Sequence, residues 1–359
     1  LLTAGGTGGH LFPAEALCAE LIRRGETVDL ATDERADKYG KAFPARAVHI
    51  VPSATFGSKN PIALARSAAH LGAGLLKAHG LIGHLKPSVV VGFGGYPTFP
   101  PMLAAQFRSV PTILHEQNAV MGRANRALAA RATKIATSFA TTEKIGDAQA
   151  KAIHTGNPVR DAVRAVASRP FVAPEAGGPI RLLVFGGSQG ARYFSDVVPP
   201  ALARLDPALR ARLVLTQQCR EEDIARVDEA YRAMGLKAKL ARFFVDLPER
   251  MANAHLVIGR AGASTVAELG VIGRPSLLVP YAFALDADQA ANARVLAGAG
   301  GAVVIAQQDL TEDRLAGDLA ALLTAPDRLA ALATGAKAAG RPDAVERLAD
   351  LVQAVAGHR

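Results

Sequence analysis

The chain has 359 residues, of which 50% are hydrophobic, 20% charged and 5% aromatic, with no tryptophan. That is the composition of a globular protein with room for one or two domains, and it excludes disordered, collagen-like and disulfide-built chains. The two cysteines, Cys18 and Cys219, have neither CxxC nor zinc-type spacing and read as reduced core residues of a cytosolic protein.

Charge is uneven along the chain. Residues 1–160 hold 18 Lys and Arg against 10 Asp and Glu, whereas residues 161–359 hold 23 against 22. Between Lys38 and His115 there are eight basic residues (Lys38, Lys41, Arg46, Lys59, Arg66, Lys77, Lys86, Arg108) and no carboxylate. Such a stretch attracts nucleic acid, anionic lipid headgroups or a phosphorylated substrate, or simply solubilises a surface. The uncharged run Pro87 to Phe107 is long enough to cross a bilayer, but its four prolines and three glycines exclude a membrane helix. Nothing resembling an export signal opens the chain, and Leu1 reads as already inside a first strand.

In chain order, strands are predicted at Thr27–Ala31, Val48–Val51, Ser88–Val91, Thr112–Leu114 and Lys134–Ala136. They alternate with helical stretches at Ala14–Arg24, Ile62–Leu85, Pro101–Phe107 and Gly122–Ala130. The rhythm breaks at Asp161–Pro179, where three prolines and Gly177–Gly178 suggest an interdomain linker. It restarts with strands at Ile180–Phe185, Leu213–Thr216, Leu240–Val245, Leu256–Ile258 and Ser276–Val279. The expected fold class is α/β, with two doubly wound Rossmann-like domains facing across a cleft. Ligands of such sheets bind at the carboxyl ends of the strands.

Three glycine-rich turns follow strands: Gly5 to His10 (GGTGGH), Gly92 to Pro97 (GFGGYP) and Gly186 to Ala191 (GGSQGA). Glycine lets the backbone approach a ligand, and the helix starts offer N–H groups to an anion. The first turn lacks the GxGxxG spacing of dinucleotide enzymes, although Asp29 or Asp33 could mimic the acidic ribose ligand. None of the three has the Lys-Ser/Thr ending of an ATP-binding loop. A fourth turn, Gly259 to Leu269, places Glu268 inside the helix that follows Leu256–Ile258, either as a partner of the helix dipole or as an acceptor for ribose hydroxyls. Further polar loops are His115 to Asn118 (HEQN), Gly156 to Arg160 (GNPVR) and Asp286 to Asn292. Asp286 and Asp288 form a DxD string at a helix start, where aspartates more often cap than ligate, so no metal and no cofactor is expected.

Seven strings in one order, GGTGGH, GFGGYP, HEQN, GNPVR, GGSQGA, GASTVAEL (Gly262 to Leu269) and DQxxNA (Asp288 to Ala293), make the chain resemble the MurG family. These are the UDP-N-acetylglucosamine:undecaprenyl-pyrophosphoryl-N-acetylmuramoyl-pentapeptide N-acetylglucosaminyltransferases of peptidoglycan synthesis. The resemblance implies a GT-B architecture with an acceptor and membrane-associated domain at 1–160 and a UDP-sugar donor domain at 161–342, linker 161–179 included. A last helix near 343–355 is expected to return to the first domain. It also implies that Thr7, Gly8, Gly9, Asn118, Arg160 and Ser188 contact the donor's diphosphate or sugar, with Tyr96 and Gln189 in the same binding set. Val245 would meet uracil through its backbone, Ala263, Ser264 and Thr265 would line the nucleotide, Glu268 would take the ribose, and Gln289 and Asn292 would read sugar hydroxyls. Ala261 stands where that family often has Ser.

The implied reaction is inverting transfer of N-acetylglucosamine from UDP-N-acetylglucosamine to the C4 hydroxyl of lipid I, giving lipid II and UDP. It calls for a base, and the residues leave His10 and Glu116 open. His10 is preferred because imidazole titrates near neutrality, whereas Glu116 would need burial to raise its pKa. The lipid tail implies peripheral work on the cytoplasmic face of the inner membrane, on an anionic phospholipid surface and within reach of a cell-wall synthesis complex. Between Asn60 and Lys86, leucines interleaved with Arg66, Lys77, His79, His84 and Lys86 suit such a surface. A UDP-N-acetylglucosamine 2-epimerase would share the donor site without the lipid patch. A nucleic-acid binder is disfavoured, because the basic stretch lacks aromatic stacking platforms.

Overall fold

A computed structural model of the chain describes residues 1–5, 7–34, 43–54, 60–187, 192–284 and 286–357. It divides into two units, Leu1–Arg160 with Asp343–Arg359, and Asp161–Pro342.

Among the described residues, the first unit holds a seven-stranded sheet in the order β3-β2-β1-β4-β5-β6-β7. The strands are β1 (Leu2–Thr3), β2 (Leu30–Thr32), β3 (Val48–Ile50), β4 (Val90–Gly92), β5 (Thr112–Glu116), β6 (Lys134–Thr137) and β7 (Ala152–His154). All pair in parallel, and β1, β2, β4 and β5 are buried along their whole length, as two-sided helix cover demands. The connecting helices are α1 (Gly8–Arg23), α2 (Pro61–Leu85), α3 (Phe99–Phe107) and α4 (Arg123–Ala129). Helix α1 starts six residues before the predicted Ala14, because extended Thr7 ends the turn and Pro13 is accommodated inside the helix.

The second unit repeats the design, with strand order β10-β9-β8-β11-β12-β13, all parallel. Its strands are β8 (Ile180–Phe185), β9 (Leu213–Gln218), β10 (Ala238–Ala241), β11 (Leu256–Gly259), β12 (Ser276–Leu278) and β13 (Ala302–Val304). The helices are α5 (Asp161–Val166), α6 (Arg192–Ala203), α7 (Pro207–Ala211), α8 (Glu221–Ala233), α9 (Leu247–Asn253), α10 (Ala263–Ile272), α11 (Asp288–Gly298), α12 (Glu312–Leu323) and α13 (Pro326–Ala339). In each sheet the chain winds outward from a first strand and then restarts on its other side, beside β1 and β4 in one unit and β8 and β11 in the other. This reversal is the place where loops part and a ligand can enter.

Two expectations change here. The strand predicted to run to Val245 stops at Ala241, and Phe244 instead turns inward beneath the Arg250 guanidinium, 4.4 Å from its ring centroid. The stretch read as a linker opens with α5 and is fastened to its own unit. Arg274, fully buried, donates to the carbonyls of Ala252, Ile272, Gly273, Arg169 and Pro170 at 2.7–3.3 Å. Lys337 Nζ adds bonds to the carbonyls of Ala167 and Val271. Prolines there remove backbone donors, and side-chain cations, the buried Arg274 and the exposed Lys337, replace them.

The final helix, α14 (Ala344–Gly357), belongs to the first unit and lies on α1. Leu348, Ala349, Val352 and Val355 join Leu11, Ala14, Leu17 and Leu21 in one core, and each buried Leu or Val contributes roughly 1.5–3 kcal/mol. At the rim, Arg24 donates to Glu20, Asp350, Gln353 and the Glu346 carbonyl, which fixes the register of the two helices.

Arg274→Ala is expected to lower the unfolding free energy by roughly 3 kcal/mol or more, because each buried carbonyl deprived of its donor costs about 1–3 kcal/mol. Urea titration measures this, and an unchanged midpoint would show that those carbonyls find other donors.

Candidate functional site

In the first unit the polar residues gather at the carboxyl edge of the sheet, around the β1/β4 reversal. Turn residue Thr7 is the N-cap of α1 in an extended conformation (φ −126°, ψ 150°) without a side-chain hydrogen bond, and Gly8 and Gly9 open the helix. His10 follows in the first turn. Its ring lies against glycine backbone on two loops: a Cβ added at Gly5, Gly94 or Gly95 would come within 3.2–3.5 Å of it. Gly94 and Gly95 have φ of +80° and +78°, a region that other residues avoid, so the GFGGYP turn is both shaped and emptied for the imidazole. Thr98 Oγ1 pins this turn by donating to the Gly94 carbonyl at 2.6 Å, and half-buried Tyr96 opens the short 3-10 helix above it.

A chain of hydrogen bonds continues from His10. Its Nδ1 meets Gln117 Oε1 at 3.1 Å, Gln117 Nε2 meets His115 Nδ1 at 2.9 Å, and His115 Nε2 meets the Gly156 carbonyl at 3.2 Å. His115 is wholly buried against Phe93, and burial pushes its pKa down from 6.5 to about 4. At neutral pH it is an uncharged imidazole. Arg160 closes the corner, its guanidinium 4.0 Å from the centroid of the Phe12 ring on α1. A helix start, an arginine and a neutral imidazole on one edge suit an anion beside a hydroxyl that must lose a proton.

Glu116 does not suit the role of base. It is 1% exposed, and its oxygens accept from the backbone N–H of Asn118 (3.0 Å) and Gly122 (2.9 Å) and from Asn125 Nδ2 (2.8 Å), with Asn118 Nδ2 at 3.4 Å. Burial raises its pKa while these donors oppose the rise. The carboxylate folds the HEQN loop onto the start of α4 and thereby presents Asn118 and Gln117. Its burial, invoked in the sequence reading as what a base would need, is what removes it from solvent.

In the second unit, β11 ends at Gly259 and α10 begins at Ala263 after the N-cap Gly262, which has no side chain to cap it. Ala263, Ser264 and Thr265 form the first turn, and the Ser264 hydroxyl oxygen is buried with no hydrogen-bond partner among the described residues. Glu268 lies one turn on from Ser264 along the helix and is 6% exposed. Val245, 87% exposed, projects from the turn before α9, and the bidentate Asp246–Arg250 pair (2.8 Å each) holds that turn. Ser188 and Gln189 lie outside the described residues.

Two sugar-reading expectations are altered. Asn292 is fully buried and donates to the Ala261 carbonyl at 3.1 Å, so it fastens the loop before α10 to α11. Gln289 Oε1 accepts from the Tyr281 backbone N–H at 3.0 Å, which leaves its NH2 group to meet a ligand. In the DxD string, Asp288 accepts from the Gln289 N–H at 2.9 Å and opens α11.

Four participants were not expected from the sequence. Gln117 and His115 sit inside HEQN but were given no part. Asn157, in GNPVR, is 5% exposed with both amide atoms unpartnered among the described residues, a cost that a ligand or water would relieve. Arg260 is buried between the rings of Tyr193, Phe194 and Tyr281 and donates to the carbonyls of Val279 and Pro280, bracing the loop after β12.

Comparison with known proteins adds the following. The glycosyltransferase family 28 N-terminal domain matches residues 1–137, and the family 28 C-terminal domain matches residues 181–348. A UDP-N-acetylglucosamine--N-acetylmuramyl-(pentapeptide) pyrophosphoryl-undecaprenol N-acetylglucosamine transferase of Mesorhizobium japonicum is 57% identical, over 100% of this chain and 96% of its own length. The crystal structure of Acinetobacter baumannii MurG matches with a TM-score of 0.79 at 27% identity, covering 98% of each chain. A UDP-GlcNAc 2-epimerase from Neisseria meningitidis matches at TM-score 0.67 and 13% identity, covering 98% of this chain and 99% of its own, a likeness of fold alone.

Because His115 loses its proton more readily when folded, the unfolded chain binds the extra proton between pH 6.5 and 4. Its contribution is therefore whole above about pH 6.5 and is lost as the pH falls toward 4, by roughly 3 kcal/mol. Urea unfolding across this range is expected to show that slope in the wild type and a flatter one in His115→Asn; equal slopes would contradict it.

Proposed function

The chain belongs to glycosyltransferase family 28, and from that premise we infer that it is an N-acetylglucosaminyltransferase. It moves N-acetylglucosamine from UDP-N-acetylglucosamine to the C4 hydroxyl of lipid I, undecaprenyl-pyrophosphoryl-N-acetylmuramoyl-pentapeptide, making lipid II and releasing UDP. The observation that carries this reading is the 57% identity, over the whole chain, to a transferase of that name. The epimerase reading rests on shared fold at 13% identity and has no such support.

The half-sites divide the work. On the second unit, the start of α10 receives the nucleotide, with the Ser264 hydroxyl as donor and Glu268 accepting the two ribose hydroxyls. The exposed turn at Val245 offers backbone groups to uracil, and Gln289 offers its amide to the sugar. On the first unit, His10 takes the proton of the acceptor hydroxyl as that oxygen attacks the anomeric carbon. The bond from that carbon to the UDP oxygen breaks in the same displacement, so an α-linked donor gives a β-linked product. Negative charge grows on the departing diphosphate, and the uncapped start of α1 with Arg160 supplies fixed positive potential against such charge. Tyr96 and Asn118 border the same edge and orient the sugars.

Contact with an anionic lipid surface is assigned to α2, in a narrower form than the sequence suggested. Ile82 is buried, Leu71 and Leu85 are half-buried, and Leu75 and Leu81 pack on the core, because α2 must cover the sheet and α3; the side chain of Leu64 is not described. What faces outward is Leu76, 76% exposed, among Arg66, Lys77, His79, His84 and Lys86. This is a mainly electrostatic surface, with each Lys or Arg contributing about 1 kcal/mol next to anionic headgroups. No helix among the described residues is long and apolar enough to cross a membrane. A peripheral place on the cytoplasmic face of the inner membrane, within a cell-wall synthesis complex, follows from the acceptor's lipid tail.

His10→Ala is expected to cut turnover by about 100-fold or more, as loss of a general base does, while UDP affinity measured by calorimetry stays within about twofold. Undiminished turnover would remove His10 from the chemistry. The double variant Lys77→Glu, Lys86→Glu is expected to bind vesicles containing anionic phospholipid at least tenfold more weakly than the wild type; equal sedimentation with those vesicles would move the lipid surface elsewhere.

A further inference from the structure

The hydrogen bonds behind His10 determine which of its nitrogens carries the proton. They can be followed from the far end, where there is only one way to read them. The Gly156 carbonyl can only accept, so His115 Nε2 carries the hydrogen in their 3.2 Å contact. Buried and uncharged at neutral pH, His115 has no second hydrogen, so its Nδ1 is an acceptor. Gln117 Nε2 donates to that nitrogen at 2.9 Å and to the His115 carbonyl at 3.1 Å. Two acceptors facing one end of the amide fix its orientation, and the other end must be the carbonyl oxygen. That oxygen lies 3.1 Å from His10 Nδ1, which therefore carries the hydrogen. The lone pair of His10 is left on Nε2.

We propose that Gln117, held by His115 and the Gly156 carbonyl, is a positioning residue that locks His10 in the Nδ1–H tautomer and so makes Nε2 the atom that accepts the proton from the acceptor hydroxyl. This deepens the assignment of His10 as base and rests on it for its catalytic meaning, although the tautomer itself does not. Imidazole in water favours the opposite tautomer, with the hydrogen on Nε2, so an unsupported His10 would mostly present a donor where the reaction needs an acceptor. The support is neutral throughout. When Nε2 takes a proton, the imidazolium still donates from Nδ1 to an amide oxygen rather than to a carboxylate. The nearby carboxylate, Glu116, is already engaged by Asn118, Gly122 and Asn125. A base backed by an amide gives up its proton more readily after each turnover than one backed by a carboxylate. The glycine walls at Gly5, Gly94 and Gly95 hold the ring close enough on its other sides that its orientation is shared between sterics and this relay.

The test reads the tautomer directly. The full chain, labelled with 15N-histidine, is studied by NMR at pH 7.5, with the His10 signals identified by their loss in His10→Gln. The expected spectrum shows His10 protonated on Nδ1 and bare on Nε2. In Gln117→Ala the signals should move to the Nε2–H pattern and turnover should fall at least tenfold with UDP affinity unchanged. Gln117→Glu, which keeps an acceptor oxygen in place, should retain the Nδ1–H pattern. An Nε2–H signal in the wild type overturns the proposal even if every Gln117 variant misfolds, and so does a tautomer that persists in well-folded Gln117→Ala. An Nδ1–H spectrum combined with full turnover of His10→Ala would keep the lock and overturn its catalytic meaning, which separates the failure of one from the failure of the other.

Discussion

Each unit depends on one geometric constraint: a parallel sheet whose strand order reverses beside its first strand. Parallel strands put every following helix start at the same edge, and the reversal parts two neighbouring loops there. In the first unit the parted loops are the GGTGGH and GFGGYP turns, after β1 and β4. In the second they follow β8 and β11, where α10 begins. The helix starts at Gly8 and Ala263, whose N-cap residues make no side-chain hydrogen bond, leave first-turn N–H groups for water or a ligand. Repeated at equivalent edges of two sheets, they are what a protein handling a nucleoside diphosphate sugar requires.

Around this edge, the relay of Gln117 and His115 behind the His10 ring is uncharged. Glu116 is surrounded by donors on its own loop, His115 is neutral through burial, and Gln117 is an amide. The fixed positive potential comes from Arg160 and the helix start. In the proposed reaction, such a division would let one group accept a proton while others stabilise a departing anion, two tasks that a shared charged residue would couple. Glycine contributes by absence, since side chains at Gly94 or Gly95 would be both conformationally strained and pressed against the ring.

Much of this was legible in the sequence. Buried strands such as Ile180–Phe185 announce themselves as apolar runs, and glycine turns after strands mark ligand-facing loops whatever the ligand. What sequence could not supply is direction. Asn292 and Glu116 stand in ligand-like strings, yet one turns to the Ala261 carbonyl and the other to its own loop. Leu71, Leu75, Leu81 and Leu85 of α2 have the spacing of a surface stripe but are partly drawn inward by the need to cover the sheet. Prolines between Asp161 and Pro179 suggest an interdomain linker, because the buried cation that fastens this stretch, Arg274, lies about a hundred residues away in the chain. The relay from Gly156 to His10 spans three loops and depends on which end of an amide faces inward, a property with no signature in residue order.

The most direct test of the account follows the sugar itself. The full chain is incubated with UDP-N-acetylglucosamine labelled in the sugar, with and without a lipid I analogue, and the products are separated and their anomeric linkage read by NMR. The account predicts that label passes into the lipid fraction in β linkage, with one UDP released per sugar transferred, and that without the acceptor the donor stays intact. Free N-acetylmannosamine or stoichiometric UDP release in the absence of the acceptor would contradict it.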